Sequence, residues 1–168
     1  MKIPEIPIIS NVRRNHALEH ASINILTKKF PGTSIIGHSD HAGFWLHADL
    51  DTEVVTETVT EALDRLLLGE TDLAYHPNCG TNYAVSGIAA GLGSFIGMWG
   101  VGKRNRDKIL RLPIVITLAT LGLIITQPLG KRVQQQVSTD PNPGSLQITQ
   151  VTRSTLGGKT AHRISTKG

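Results

Sequence analysis

Cysteine is nearly missing from this sequence. Cys79 is the single thiol in 168 residues, which excludes an intrachain disulfide framework and a multi-thiolate metal site. Aromatic residues make up only 4 %, so a nucleic-acid reader built on stacking side chains is excluded and no nucleic-acid partner is expected. Charged residues amount to 18 % against about a quarter in ordinary domains, too few for a long disordered chain. No glycine loop ends in GK[ST], which leaves out a phosphate-cradling nucleotide loop. No apolar run opens the sequence, so no cleavable signal peptide is expected. Histidine is the residue in excess: there are seven, six of them before residue 77.

Charge divides the chain into three. Residues 1–82 hold six Lys/Arg against eleven Asp/Glu. Residues 83–130 carry Lys103, Arg104, Arg106, Lys108 and Arg111 against Asp107 alone. Residues 131–168 hold six basic residues against Asp140. Basic groups that flank apolar stretches follow the membrane pattern.

Two uncharged spans set the class. Tyr83–Val101 and Leu112–Leu129 run for nineteen and eighteen residues, near the twenty or so that cross ~30 Å of hydrocarbon as a helix. The link between them, Gly102–Leu110, carries most of the local charge, so residues 83–130 are expected to be a transmembrane hairpin of two helices in an integral membrane protein. Gly87-x-x-x-Gly91 and Gly93-x-x-x-Gly97 would let a neighbouring backbone approach, either a partner helix or a second copy of the chain. The basic residues around the link place it in the cytoplasm. The size of the acidic 82-residue segment argues instead for a cytoplasmic N-terminal domain, and the two placements stay open.

Residues 1–82 read as a small α+β domain in the order helix, strand, strand, helix, strand. Met1–Ile9 is expected to be extended. Ser10 or Asn11 can cap a helix that runs to about Phe30 and stops at Pro31-Gly32. Thr33–His38 and Gly43–Leu50 read as strands around a turn at Ser39–His41. In the second, Phe44, Leu46 and Ala48 alternate with Trp45, His47 and Asp49, the period of a half-buried strand. Asp51 or Thr52 caps a second helix ending before Gly69, with Val55, Val59, Ala62, Leu63 and Leu66 facing inward. Leu73–Tyr75 is expected to be a third strand. The polar tail, 131–168, is expected to be weakly ordered apart from a possible strand at Leu146–Thr152.

The chemistry is concentrated in His16-Ala17-Leu18-Glu19-His20. Residues four apart share a helix face, so His16 and His20 can reach one ion. Glu19 lies about 100° from His20 and roughly 60° from His16 around the axis. Neutral imidazoles suit Zn²⁺, and a carboxylate beside them can take a proton from water that the metal acidifies. The HxxEH spacing resembles the inverzincin metallopeptidases, the insulinase and pitrilysin group. That resemblance covers the five-residue motif and its helix, and implies His16 and His20 as zinc ligands and Glu19 as general base. The family's third ligand is a Glu on a later helix, and here Glu53, Glu57 and Glu61 fall opposite the apolar stripe. Separately, Arg14–His20 and the glycine-rich stretch are similar to small bacterial membrane proteins that begin with an RNHALEH-type helix, a resemblance that implies no activity.

For the third ligand His76 ranks first, with Glu57 or Glu61 behind it and His47 a further candidate if the sheet packs on the first helix. His76 and Cys79 are spaced as a nitrogen–sulfur donor pair, or else Pro77 and Gly80 mark only a turn. Without a metal, Glu19 would pair with Arg13 or Arg14 and the histidines would bond main-chain carbonyls. Three readings therefore stand: a membrane-anchored zinc hydrolase of peptidase type, a non-catalytic metal-binding membrane protein, and a non-enzymatic module packing its glycine-rich hairpin against partner helices.

Overall fold

The computed structural model describes residues 6–168; the part of the expected extended start at residues 1–5 lies outside them. The chain is α+β. It divides into two compact units, one combining the chain up to His76 with Gln135–Gly168, the other being Pro77–Gln134.

In the first unit, α1 spans Pro7–Lys29. It starts earlier than the Ser10 or Asn11 cap implied, because Pro7 sits in the first helical turn, where its missing N–H costs nothing and its φ is already helical. Lys28 and Lys29 complement the helix dipole in the last turn. Strands β1 (Ile36–Asp40) and β2 (Gly43–His47) form an antiparallel hairpin around His41-Ala42. The backbone N–H of Ala42 donates to Asp40 Oδ1 (2.8 Å), which closes the turn. Helix α2 spans Thr52–Leu67. Gly69, at φ 91°, ends it, and the N–H groups of Gly69 and Glu70 return to Leu66 and Arg65 carbonyls. The inward stripe is as expected, with Val55, Val59, Ala62 and Leu66 buried and Leu63 packed against them.

Two expectations fail here. Leu73–Tyr75 is not a strand: Thr71–Ala74 is a single 3-10 turn, held from outside by the Asn24 amide rather than by a ladder. The C-terminal tail is not weakly ordered. Strands β3 (Gln147–Leu156) and β4 (Lys159–Lys167) form a hairpin around Gly157 and Gly158, whose φ values of 58° and 76° suit a tight two-glycine turn. The sheet order is β1-β2-β4-β3, all antiparallel, so the last strand of the chain lies in the middle. One face packs on α1 and α2, with Phe44, Leu46 and Ile164 joining Leu18, Ala21, Leu26, Val55 and Val59 in one core.

His162 is a flaw in that core. It is fully buried on the inward face of β4, opposite Leu46 and Arg153, and neither ring nitrogen has a hydrogen-bond partner. Burial first, and the Arg153 charge second, hold its pKa below the ordinary 6.5, so the ring is neutral in the fold. Below that ordinary value the unfolded chain takes up a proton the folded chain refuses, and stability falls as pH drops. His162→Leu is expected to raise stability by about 1–2 kcal/mol at neutral pH, by removing an unpaired buried polar group, and to flatten this acid limb. Denaturant unfolding of the full chain in detergent at several pH values measures both; an acid limb equally steep in the variant would place it in another group.

The second unit is a helical hairpin, α3 (Gly80–Met98) and α4 (Asn105–Val133). Glycines let the backbones meet. A Cβ at Gly93 would come within 2.5 Å of Leu118 O, and one at Gly122 within 2.7 Å of Ala89 O, while Gly97 faces Val115. Gly93 and Gly97 are thus spent inside the hairpin, whereas Gly87 and Gly91 face open space. Thr126 Oγ1 donates to Ser86 Oγ across the pair (3.3 Å). Among the described residues one helix, α4 with its continuation to Ser138, is long and apolar enough to cross a membrane. Helix α3 is long enough, but its glycines with Thr81, Asn82, Ser86 and Ser94 dilute it, so two spans do not follow from length and composition.

Candidate metal centre

Helix α1 carries His16, Glu19 and His20 on adjacent turns, and the chain after α2 returns past them as the turn Thr71–Ala74, ending at His76. The His16 and His20 ring centroids are 4.3 Å apart, tilted by 57°. His20 and His76 are 5.9 Å apart, tilted by 44°. His20 therefore neighbours both of the other imidazoles that the sequence singled out, and it is only 2 % exposed.

Each ring is oriented through the same nitrogen. His16 Nδ1 lies 3.0 Å from Ser138 O, and His20 Nδ1 lies 2.9 Å from Ala74 O. A carbonyl oxygen only accepts, so both Nδ1 atoms carry the proton and donate. His76 Nδ1 lies 2.7 Å from Asn24 Oδ1. The Asn24 amide nitrogen donates to Leu73 O (2.9 Å) and Tyr75 O (3.0 Å), which fixes its oxygen as the acceptor for His76. A neutral ring that donates from Nδ1 has its lone pair on Nε2. Ligating histidines are held this way, by a carbonyl or carboxamide behind the ring.

Glu19 takes another direction. It is 4 % exposed and turned toward β1, where Ser39 Oγ donates to its Oε2 and Gly37 lies against the carboxylate. Arg13 donates to Thr139 O (3.0 Å) instead of to Glu19. His47, Glu57 and Glu61 are elsewhere. His38, Trp45 and His47 stack along the outer face of the sheet, with His38 centroids 6.5 Å from Trp45 and 5.7 Å from His47. That is the face away from α1, so His47 does not join His16 and His20. Arg163 covers Trp45 at 5.6 Å and holds Asp40 in a fork (2.8 and 2.9 Å), which lowers the Asp40 carboxyl below its usual range. Glu61 is paired with Lys29 (2.6 Å) and Arg65 (3.4 Å), and Glu57 is exposed on the same helix. Cys79 caps α3, its Sγ accepting the Thr81 N–H at 3.4 Å.

Sequence reasoning missed the supports: Asn24, Ser39, Ala74 and Ser138. Only Asn24 left a signal, standing four residues after His20 on the stripe that His16 and His20 define. The others depend on chain returning from far along the sequence.

Fold and site define an α+β protein with a three-histidine cluster and a glycine-packed helical hairpin. The chain belongs to the family of domains of unknown function DUF6391, whose model matches residues 11–151. It is 30 % identical over 151 residues to an uncharacterised protein of Picosynechococcus sp. (strain ATCC 27264 / PCC 7002 / PR-6), covering 82 % of this chain and 70 % of that one. No solved structure matches.

Proposed function

We propose that this chain is a membrane-anchored metal-binding protein whose first unit takes Zn²⁺ on His16, His20 and His76. One observation carries the reading: the His16, His20 and His76 rings lie side by side, with neighbouring centroids 4.3 and 5.9 Å apart, and each has Nδ1 held by an oxygen. Neutral imidazole nitrogen is a donor zinc prefers. Elemental analysis of the purified full chain is expected to find near-stoichiometric zinc, lost on His16→Ala and on His20→Ala. Full-length wild type that stays metal-free after incubation with zinc would end the proposal.

The peptidase-type hydrolase is the second reading. Its support is a carboxylate, 4 % exposed, between the two imidazoles in the chain; buried ionisable groups concentrate where chemistry is done. Bound zinc would supply an acidified water and a polarised substrate carbonyl, and Glu19 would hold the proton at a carboxylate oxygen. Glu19→Gln is then expected to keep the zinc and abolish hydrolysis. Zinc retained with unchanged activity excludes Glu19 as the base.

The membrane reading includes two crossings. Its support is topological: β2, before the hairpin, pairs with β4, after it, so both flanks of α3–α4 fold on one side. A crossing by α4 alone would separate strands that share a ladder, so α3 has to cross back. Lys103, Arg104, Arg106, Lys108 and Arg111 then mark the opposite side at the link. Single cysteines placed at Ser10 and Lys167, with Cys79 replaced, are expected to label from one side of sealed vesicles, and one at Asn105 from the other. Labelling of all three from the same side rules out the crossing hairpin.

A further inference from the structure

A seam beside the histidines contains donors without acceptors. The chain at 138–144 runs along α1: Asp140 N donates to Arg13 O (3.1 Å), Arg13 Nη2 donates to Thr139 O (3.0 Å), and Ser138 O receives His16 Nδ1. Farther along, a Cβ at Gly144 would lie 3.1 Å from the Arg14 guanidinium carbon, so glycine there leaves room for that head group. Within this seam Arg13 Nε, Arg14 Nε and Ser138 Oγ are buried and have no hydrogen-bond partner. They are three of the five such atoms among the described residues, the other two being the nitrogens of His162.

All three orphans can donate. Two belong to permanent cations, and Asp140, in the segment that runs beside them, has its Oδ1 accepting from Asn142 N (3.1 Å). None of the ion pairs among the described residues involves Arg13 or Arg14. A buried guanidinium donor left unmatched is costly, and the group that fits is an oxyanion, which guanidinium meets with charge-assisted, forked hydrogen bonds. Helix α1 also opens with Ile6, Ile8 and Ile9 exposed at 47, 63 and 39 %, and with no acidic residue in its first turn. Apolar residues next to phosphate-binding arginines are what a lipid surface meets.

We infer that Arg13, Arg14 and Ser138 form a phosphate-binding site, with the phosphate supplied by an anionic lipid headgroup or by a free phosphate compound. The inference is independent of zinc at the histidines, since no donor in it is an imidazole.

The test uses the full chain in a maltoside detergent and follows thermal unfolding. Two probes are titrated: inorganic phosphate against chloride of equal ionic strength, and phosphatidylglycerol against uncharged diacylglycerol in the micelle. Saturable stabilisation by one of them is expected, and which one identifies the source. Arg14→Gln is expected to weaken that response by about tenfold or more, the effect of losing a charge-assisted hydrogen bond. Among the described residues no ion pair involves Arg14 and its Nε has no hydrogen-bond partner, so this variant should still fold. Ser138→Ala should weaken the response by less. Absence of a saturable response to either probe, or a response unchanged in Arg14→Gln, overturns the site.

Discussion

A chain ended at Leu146, lacking β3 and β4, is expected to lose cooperative folding of its first unit. Strand β4 is the partner of β2 along its whole length, from Gly43↔Ser165 to His47↔Ala161. Without it the sheet is reduced to the β1–β2 hairpin, and an isolated two-stranded ribbon is marginal in water. The core also loses Ile164, fully buried, and exposes Phe44 and Leu46 on the other side of the same contact. Burying one large aliphatic or aromatic side chain stabilises by roughly 1.5–3 kcal/mol, so uncovering several removes most of the ~5–15 kcal/mol a domain holds. Two polar ties are lost as well, Thr166 Oγ1 to Asn15 (2.7 Å) and the Arg163–Asp40 fork. Limited proteolysis should cut the truncated chain throughout residues 6–76 under conditions that spare the full one. The milder Ile164→Ala should cost about 2–5 kcal/mol. If the truncated protein melts cooperatively within a few degrees of the full chain, β4 does not hold the core.

That central strand also shows where the sequence stops being informative. Helix α2 and strand β2 were legible because their apolar residues recur at helix and strand periods on one face, and burial follows those periods. The hairpin at 147–167 was readable only in part. Leu146–Thr152 was read as a possible strand; Gly157-Gly158, a hairpin signal, stands in a polar segment whose composition reads as weak order. Residues on β3 are mostly exposed, and β4 buries Ala161, His162 and Ile164, an apolar pattern broken by a histidine. What folds the segment is the exposed edge of β2, which pairs from His47↔Ala161 to Gly43↔Ser165 across more than a hundred residues, and no local window contains it. The third strand failed for a related reason. Leu73 and Ala74 are buried, as a strand would require, but the backbone is shaped by Asn24, whose two amide hydrogens take the Leu73 and Tyr75 carbonyls.

The histidines were legible because helical geometry alone brings His16 and His20 together. His76 was ranked first among the remaining ligands, and the structure places it beside His20. What hydrogen-bonds each ring was not legible, nor was the direction of Glu19. On the helix its side chain points within reach of the histidine face, yet β1 passes close enough to capture the carboxylate. The sequence contains Gly37 and Ser39, but only the strand register shows that both face α1.

Gly37→Val is the substitution expected to disturb that capture most. A Cβ at Gly37 would stand 2.5 Å from Glu19 Oε1 and 2.8 Å from its Cδ and Cγ, below any tolerable contact. Either β1 lifts from α1, which opens a packed core, or the carboxylate swings out and gives up the Ser39 hydroxyl. The first costs about 1–3 kcal/mol as overpacking, and the second about as much for a hydrogen bond to a charged group. A loss near 3 kcal/mol is therefore expected in denaturant unfolding of the full chain. The double variant separates contact from general damage. Glu19→Ala in the Gly37→Val background removes the atoms the new methyls meet, so the pair should be more stable than the two single effects added, by about 1–2 kcal/mol. Simple additivity would mean that Gly37 is held to glycine by something other than Glu19. The same variants bear on function. If Glu19 serves only to seat β1 on α1, Glu19→Gln keeps the Ser39 contact and changes nothing measurable in zinc content or turnover. If it moves a proton, Glu19→Gln leaves stability and zinc intact and removes turnover, and Gly37→Val, by displacing the carboxylate, depresses turnover in step with stability.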